Sequence, residues 1–394
     1  MPPSRCSTEL DQFWESLNTV DDVSFTDESQ RLRAVDALGA ALRRVQRPAE
    51  VVWEQLWADP AVLSAIVTLI EAEFWTKWGA AGGESATSDE LARMGAIDVA
   101  LLSESCVRLR CSNLIRETKV DTYALTAYSA ALTDLKFANI YACGVDAFWS
   151  SLMNFPRFAS KTGYRNPSDA DHTNFHDWSG GESFFGYLAA SPRVGASFND
   201  AMTMYTTLSA PWTEVYPLDS IAGQTRTDMP VLVDVGGGVG HDLEILRSHF
   251  PDLPQGSLVL QDLAPVIARA QVASPVEALA HDFFTPQPIK GASFYFLHSV
   301  LHDWPDPEAV KILQNLVPAM DKSHSRILLH EAVIPPLKAN SRNTVSDMFM
   351  MCLVSAHERT EQMWSDVVES AGLRIRKIYT SRRSTEAIIE IELH

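Results

Sequence analysis

A histidine and two glutamates, His302, Glu331 and Glu358, are the residues of this sequence best suited to proton chemistry. His302 falls in Tyr295-Phe-Leu-His-Ser-Val-Leu-His-Asp-Trp-Pro-Asp-Pro307, where an apolar strand runs into a loop and a helix starts after Pro305. It therefore sits just beyond the carboxyl end of a strand, the edge at which open α/β sheets hold their ligands. Glu331 ends the next expected strand, in Leu-Leu-His-Glu-Ala, and Glu358 opens a helix, in His-Glu-Arg-Thr. A single histidine in such a loop is usually structural. One histidine with two acids at the same sheet edge points to a general base and the carboxylates that orient it. No cluster has metal-ligand spacing, so no metal is expected.

A second stretch, Val231-Leu-Val-Asp-Val-Gly-Gly-Gly-Val-Gly240, makes a ligand cradle. Val231 to Val235 read as a buried strand, apolar except for Asp234. Gly236, Gly237, Gly238 and Gly240 turn the chain tightly, and a helix pattern runs from Val239 to Phe250. Small residues let a ligand approach the backbone, and free N–H groups at the helix start face it. The spacing fits a dinucleotide, a phosphate or S-adenosylmethionine, and also a purely structural turn. Asp234, an acid at the strand end, hints at a cationic ligand group. Asp262 ends the next strand, one βα unit later, where a carboxylate accepts both ribose hydroxyls. Asp282 and Phe283 follow in His281-Asp-Phe, placed to accept from an adenine amino group and to cover its ring, although a plain loop Asp reads equally well.

The elements that must position these residues alternate from Val231 onward. Strands are expected at Ser257–Gln261, Ala292–Leu297, Arg326–Glu331, Leu373–Tyr379 and Ala387–Leu393, with helices between most of them. This is the pattern of an α/β, doubly wound parallel sheet of Rossmann-like type with an antiparallel end. Ahead of it, Pro60–Trp78 reads as an apolar helix. Ser88 caps another helix, Asp98–Ser112 forms a third, and Leu114–Leu125 a hairpin turning near Lys119–Thr122. Helix, helix and hairpin is the layout of a winged helix. Tyr128–Phe158 is apolar and aromatic, Lys161–Trp178 a polar loop, Ser183–Leu208 a helix broken by Pro192, and Pro211–Pro230 a linker. The expected division is a helical arm at 1–50, a winged-helix-like dimerisation and substrate-lining domain at 51–215, and a catalytic domain at 216–394.

Composition removes several function classes. The chain of 394 residues carries a formal charge of -18, with 46% hydrophobic and 21% charged residues. So acidic a chain is a poor ligand for nucleic acid or an anionic membrane, and the winged-helix layout then suggests dimerisation rather than DNA binding. Five cysteines without a Cys-x-x-Cys pair suit a reducing compartment. With no apolar signal core and no membrane-length run, a cytoplasmic location is expected.

The motifs Val-Asp-Val-Gly-Gly-Gly-Val-Gly-His, Leu-Gln-Asp, His-Asp-Phe, Leu-His-Asp-Trp, Glu-Ala-Val-Ile-Pro and Glu-Arg-Thr occur in an order that resembles the caffeic-acid-type O-methyltransferases, closest to their fungal secondary-metabolism branch. The resemblance runs from about Val51 to the end. It implies a helical, winged-helix-type dimerisation domain, hence a homodimer, and a Rossmann-like domain that binds S-adenosylmethionine. Its motif positions imply that Gly236 to Gly240 line the cofactor, with Asp262 at the ribose, Asp282 and Phe283 at the adenine and Trp304 nearby. His302 is then the base, flanked by Glu331 and Glu358, acting on a hydroxyl of a small aromatic or polyketide-derived substrate. Where the plant enzymes carry Lys, four residues before the base, this chain has His298, which makes that cofactor contact weaker or pH-dependent. Phe198–Met202 matches the helix that borders substrate. Met202, Met348 and Met351 are the methionines expected to shape an apolar pocket. His176-Asp-Trp178 repeats the tripeptide at His302, either by coincidence or as a substrate-bordering loop that brings in Trp178. Some fungal relatives are pericyclases or dehydratases that keep the cofactor without transferring methyl; that alternative stands, as does a non-catalytic binding protein.

Overall fold

The structure is a computed structural model that describes residues 5–21, 24–206, 210–222, 229–270, 272–339, 341–381 and 383–394. Residues 1–4 of the expected arm, 207–208 of the expected helix and 223–228 of the expected linker lie outside the described residues. The chain divides into two compact units, Met1–Thr133 and Asp134–His394. Among the described residues, no helix is long and apolar enough to cross a membrane.

The first unit is mainly helical. Helices Arg5–Thr19 and Glu28–Val45 come first, the second capped by Asp27, whose side chain accepts from Gln30 N. Phe13, Val35, Leu38, Leu42 and Val45 on these helices are exposed. The expected Pro60–Trp78 helix is in fact two, Asp59–Glu71 and Phe74–Ala80, because Glu73 takes a left-handed φ of 55° and breaks the run. Phe74, Trp75 and Trp78 are buried; Trp75 stacks on Trp78 and Phe74 meets Trp75 edge-on. Strand β1 (Ala86–Thr87) leads into helix Ser88–Gly95. Its cap is Thr87, not Ser88: the Thr87 hydroxyl accepts from Glu90 N, and the Glu90 carboxylate accepts from Thr87 N. Asp98 caps helix Val99–Cys111, and the hairpin of β2 (Ile115–Lys119) and β3 (Thr122–Leu125) follows, in the sheet order β1-β3-β2.

The second unit carries the parallel sheet. Its strands are β4 (Leu232–Val235), β5 (Leu258–Asp262), β6 (Val276–Ala280), β7 (Phe294–His298), β8 (Arg326–Ile334), β9 (Arg359–Thr360), β10 (Leu373–Thr380) and β11 (Glu386–Leu393). The order is β10-β11-β8-β7-β4-β5-β6, with β9 pairing β8. β4 to β8 run parallel, whereas β11 is antiparallel to both β8 and β10, giving the expected antiparallel end. β6 was not expected. It is an edge strand, largely exposed after Val276, so no alternation of apolar residues marks it. β8 runs three residues beyond Glu331, which is therefore inside the strand and not at its end.

Side chains of a strand point alternately to the two faces of the sheet. Val233, Val235, Tyr295, Leu297, Ile327 and Leu329 pack one face against helices Asp306–Leu316 and Glu361–Ser370. Leu232, Leu260, Phe294, Phe296, Leu328 and Ile388 pack the other, against Trp212 and helix His241–His249. The register sets His298 beside His330, and His330 beside Ile388. Adjacent residues His330 and Glu331 thus enter opposite faces of the sheet.

Candidate active site

His302 lies on a one-turn helix, Leu301–Asp303, immediately after β7. Its Nδ1 stands 3.0 Å from Glu358 Oε1, a carboxylate that also accepts from Ser346 Oγ at 2.6 Å. Glu358 does not open a helix: it precedes β9, and the helix begins at Glu361 with Thr360 as its cap. With Nδ1–H donating to Glu358, Nε2 is the lone-pair nitrogen, and its charged neighbour is Asp303 Oδ1 at 3.6 Å. Burial opposes a charge on His302, but Asp303, Glu358 and Glu331 outweigh it and hold its pKa well above the usual 6.5. Burial raises Asp303 to about 6 despite His302.

Glu331 acts differently from Glu358. One of its oxygens accepts from the backbone N–H groups of Val300 and Leu301, at 3.0 and 2.8 Å. It thus grips the loop that carries His302 rather than the imidazole. Burial lifts its carboxyl to about 7. Arg359 was not singled out from the sequence, although it adjoins Glu358. Its guanidinium is fully buried and donates to Leu301 O and Trp304 O at 2.8 Å each, and to Asp306 Oδ1. Ser346 and Asp303 were also missed. Asp303 is visible in the His-Asp-Trp motif, whereas nothing local marks Ser346, which reaches Glu358 from helix Ser341–Val354.

The glycine turn forms as expected, with helix His241–His249 starting after Gly240. Gly236 has φ +77°, and a Cβ there would lie 3.0 Å from Val300 Cγ2 and 3.5 Å from a Phe283 ring carbon. A Cβ on Gly237 would fall 2.3 Å from the Asp234 carboxyl, so only glycine closes the turn over that acid. Asp234 lies beneath the loop, fully buried, both oxygens without a hydrogen-bond partner among the described residues. Burial, then the nearby Asp242, push its pKa well above 3.8. Asp262 Oδ2 accepts from Gly238 N at 2.9 Å and Oδ1 from Leu263 N, while burial raises its pKa. Asp282 is exposed and caps its own turn by accepting from Phe284 N. Trp304 meets Phe284 and Phe283 edge-on, at 4.6 and 6.1 Å between centroids.

His298 enters a separate cluster on the other face. Its Nδ1 is 2.7 Å from Asp242 Oδ2 and its Nε2 is 3.5 Å from Glu386 Oε1. The His330 ring lies 4.1 Å away, centroid to centroid. Burial disfavours charge on His298, but Asp242 and Glu386 reverse that and raise its pKa well above 6.5. His330 is buried and pushed down to about 4, while Glu386, against the cost of burial, is drawn down to about 2 chiefly by His298. Both ring nitrogens of His298 are thus directed at protein carboxylates.

The expected substrate residues lie on three helices, Asn174–Ser179, Pro192–Thr206 and Ser341–Val354, that all contribute to one hydrophobic cluster. Trp178 is not in a loop but on helix Asn174–Ser179, packed edge-on with Phe175 and Tyr187 in an aromatic cluster. His176 in the same helix completes a capping box with Thr173, so its likeness to His302 is one of letters only. Met202 and Met348 are exposed, and Met351 is half-buried on the helix that bears Ser346.

An O-methyltransferase domain family matches residues 167–374. The O-methyltransferase mfmE of Annulohypoxylon moriforme is 32% identical over 96% of this chain and 94% of its own length. The solved structure of LepI in complex with SAM superposes with a TM-score of 0.86 at 27% identity, covering 99% of this chain and 100% of that one. A structure described as a pericyclic reaction enzyme aligns with a TM-score of 0.84 at 27% identity, over 99% and 98% of the two chains. The chain belongs to the S-adenosylmethionine-dependent O-methyltransferases, and relatives of fungal secondary metabolism are among those it matches. S-adenosylmethionine is its cofactor. The cradle fits that group: the loop at Gly236 faces the Phe283 ring without a side chain between them, and Asp262 ends the neighbouring strand β5 with its carboxylate at Gly238 N.

Proposed function

We propose that this protein methylates a hydroxyl, phenolic in character, of a small aromatic or polyketide-derived secondary metabolite, with His302 as the general base. S-adenosylmethionine supplies an electrophilic methyl group on a sulfonium. Gly236 to Gly240 would hold it, with Asp262 at the ribose and Asp282, Phe283 and Trp304 around the adenine. His302 Nε2 takes the hydroxyl proton. A phenol with a pKa of about 10 facing an unperturbed imidazole of about 6.5 leaves a gap of roughly 3.5 units, or about 4.8 kcal/mol. The carboxylates around His302 raise its basicity and narrow that gap. The observation that carries this reading is the ring's surroundings: Nδ1 is 3.0 Å from a buried glutamate, whereas the carboxylate nearest Nε2, that of Asp303, is 3.6 Å away, beyond hydrogen-bond distance. By the same reading residues 51–215 are a winged-helix-type dimerisation and substrate-lining domain, the protein is a homodimer and it works in the cytoplasm. A monomer mass in light scattering would remove the dimer.

The similarity to a pericyclic reaction enzyme favours one other reading, in which the cofactor is kept and no methyl moves. Incubation with S-adenosylmethionine and a panel of phenolic polyketides separates the two. Methyl transfer releases S-adenosylhomocysteine in step with product. Product that forms without it supports the pericyclase.

A further inference from the structure

Glu358 and Arg359 are neighbours in sequence and grip the same loop by different means. Glu358 holds the His302 ring. Arg359 holds the loop's backbone, bonding Leu301 O on one side of His302 and Trp304 O on the other. Glu331 completes the grip from the strand side through the N–H groups of Val300 and Leu301. The four residues Leu301 to Trp304 contain both the base and the ring that packs against Phe283 and Phe284. One guanidinium therefore ties the base to the aromatic wall beside the glycine turn.

A fully buried guanidinium is costly to maintain unless its donors are satisfied and its charge is met. Here Nε and Nη2 both reach Asp306 Oδ1, at 2.9 and 2.8 Å, and the carbon of the guanidinium lies 4.9 Å from the Trp364 ring centroid. Its main chain is fixed too, because Arg359 pairs with Val333 of β8. The fork is therefore anchored at both ends, and what it holds is the base loop. Arginine suits this task because its planar fork reaches two carbonyls and a carboxylate at once, which the point charge of lysine does not.

We propose that Arg359 is a positioning residue that locks Leu301–Trp304, so that the aim of His302 and the placement of Trp304 are set together. The effect on turnover rests on the assignment of His302 as base, but the lock itself does not. Two readouts separate them. Hydrogen exchange across 299–304 reports the lock directly, with no reaction involved. Steady-state kinetics report its consequence.

In Arg359→Lys, exchange across 299–304 is expected to quicken while the strands keep their protection. Turnover should fall by roughly 10²-fold, the usual effect of a displacement of about 1 Å at a reacting group. KM for S-adenosylmethionine should rise, since Trp304 is released as well. The apparent pKa of turnover should drop towards that of a free imidazole, because the ring is no longer held among Asp303, Glu331 and Glu358. Asp306→Asn, which weakens the fork without removing it, should shift each readout less and in the same direction; His357, whose Nε2 is 3.5 Å from Asp306, also loses its charged neighbour there. A loss of activity that only follows the fraction of unfolded protein, with exchange across 299–304 and the pH profile unchanged, overturns the proposal. Faster exchange in Arg359→Lys together with full turnover in His302→Ala leaves the lock standing and removes the base.

Discussion

Two histidine–carboxylate clusters sit at the same edge of the sheet, on opposite faces, and only one is proposed to move a proton. His302 has Glu358 at 3.0 Å from Nδ1 and Asp303 at 3.6 Å from Nε2. His298 has carboxylates at both nitrogens and a second imidazole against its ring. Each histidine is shifted upward in pKa, so a raised pKa does not tell them apart. What does is the company each keeps: the His330 ring lies against His298, whereas His302 sits on the one-turn helix beside Val300, which abuts the glycine turn at Gly236. β8 feeds both clusters from consecutive residues, His330 to one face and Glu331 to the other. Under the proposed function the His298 cluster (inner) is an ion-paired brace and the His302 cluster (outer) is a base with its holders.

Exchanging histidine for alanine in each cluster breaks the comparison most sharply. His302→Ala should leave folding and cofactor affinity nearly intact and lower turnover by roughly 10²–10⁴-fold. His298→Ala strands Asp242 and Glu386 and should cost about 3–5 kcal/mol of stability, the usual result of breaking a buried ion pair. Turnover per folded molecule should change little. A large fall in S-adenosylmethionine affinity in His298→Ala, without loss of stability, would show that His298 serves the cofactor and not the brace.

Asp262→Ala removes the carboxylate at the glycine turn. It should weaken S-adenosylmethionine binding by about 1.5–3 kcal/mol in calorimetry. Unchanged affinity would end the ribose assignment. The two glutamates of the outer cluster should then differ from each other. Glu358→Gln loses the charge beside Nδ1 and should lower the apparent pKa of turnover. Glu331→Gln keeps an amide oxygen for Val300 and Leu301 N–H, so it should cost less and shift that pKa less. Equal losses in kinetics would contradict the distinct roles.

The smallest effect is on stability against pH. Glu386 lies near 2 when folded and near its usual 4.5 when unfolded. Its stabilisation is complete above 4.5 and is lost as pH falls towards 2. His298 is shifted the other way, so its contribution is complete below 6.5 and is lost as pH rises through its raised folded value. Thermal unfolding should therefore show a plateau in mildly acidic buffer; in His298→Gln the plateau should be lower and the loss of stability on its alkaline side, which His298 itself causes, should disappear. An identical profile in the variant would dissolve the brace.

Much of the outer cluster was legible because its residues lie in short motifs whose order follows the strands. His302 follows β7, Glu331 lies on β8, and Glu358 stands beside β9. The inner cluster was not legible. Asp242 and His298 are brought together by a helix start and a strand end that the sheet order makes neighbours, and no local pattern encodes that order. His298 was read as a contact to the cofactor because it stands where the resembled plant enzymes carry Lys. Arg359 escaped notice because its role depends on carbonyl groups, which every residue has. Trp178 was placed in a loop because Lys161–Trp178 is polar on average, yet Phe175 and Trp178 are three apart and face one way on a short helix.

The central claim is that His302 Nε2 takes the acceptor's proton, and the pH dependence of S-adenosylhomocysteine release tests it most directly. Rates for the unaltered protein and for His302→Ala would be taken on one phenolic acceptor at saturating cofactor. In the unaltered protein the rate should rise with pH and level off above an apparent pKa higher than 6.5, since the active form of a base is the deprotonated one. In His302→Ala that inflection should vanish, leaving a low rate that climbs only as the phenol itself ionises near about 10. An unchanged rate and inflection in His302→Ala would contradict the assignment.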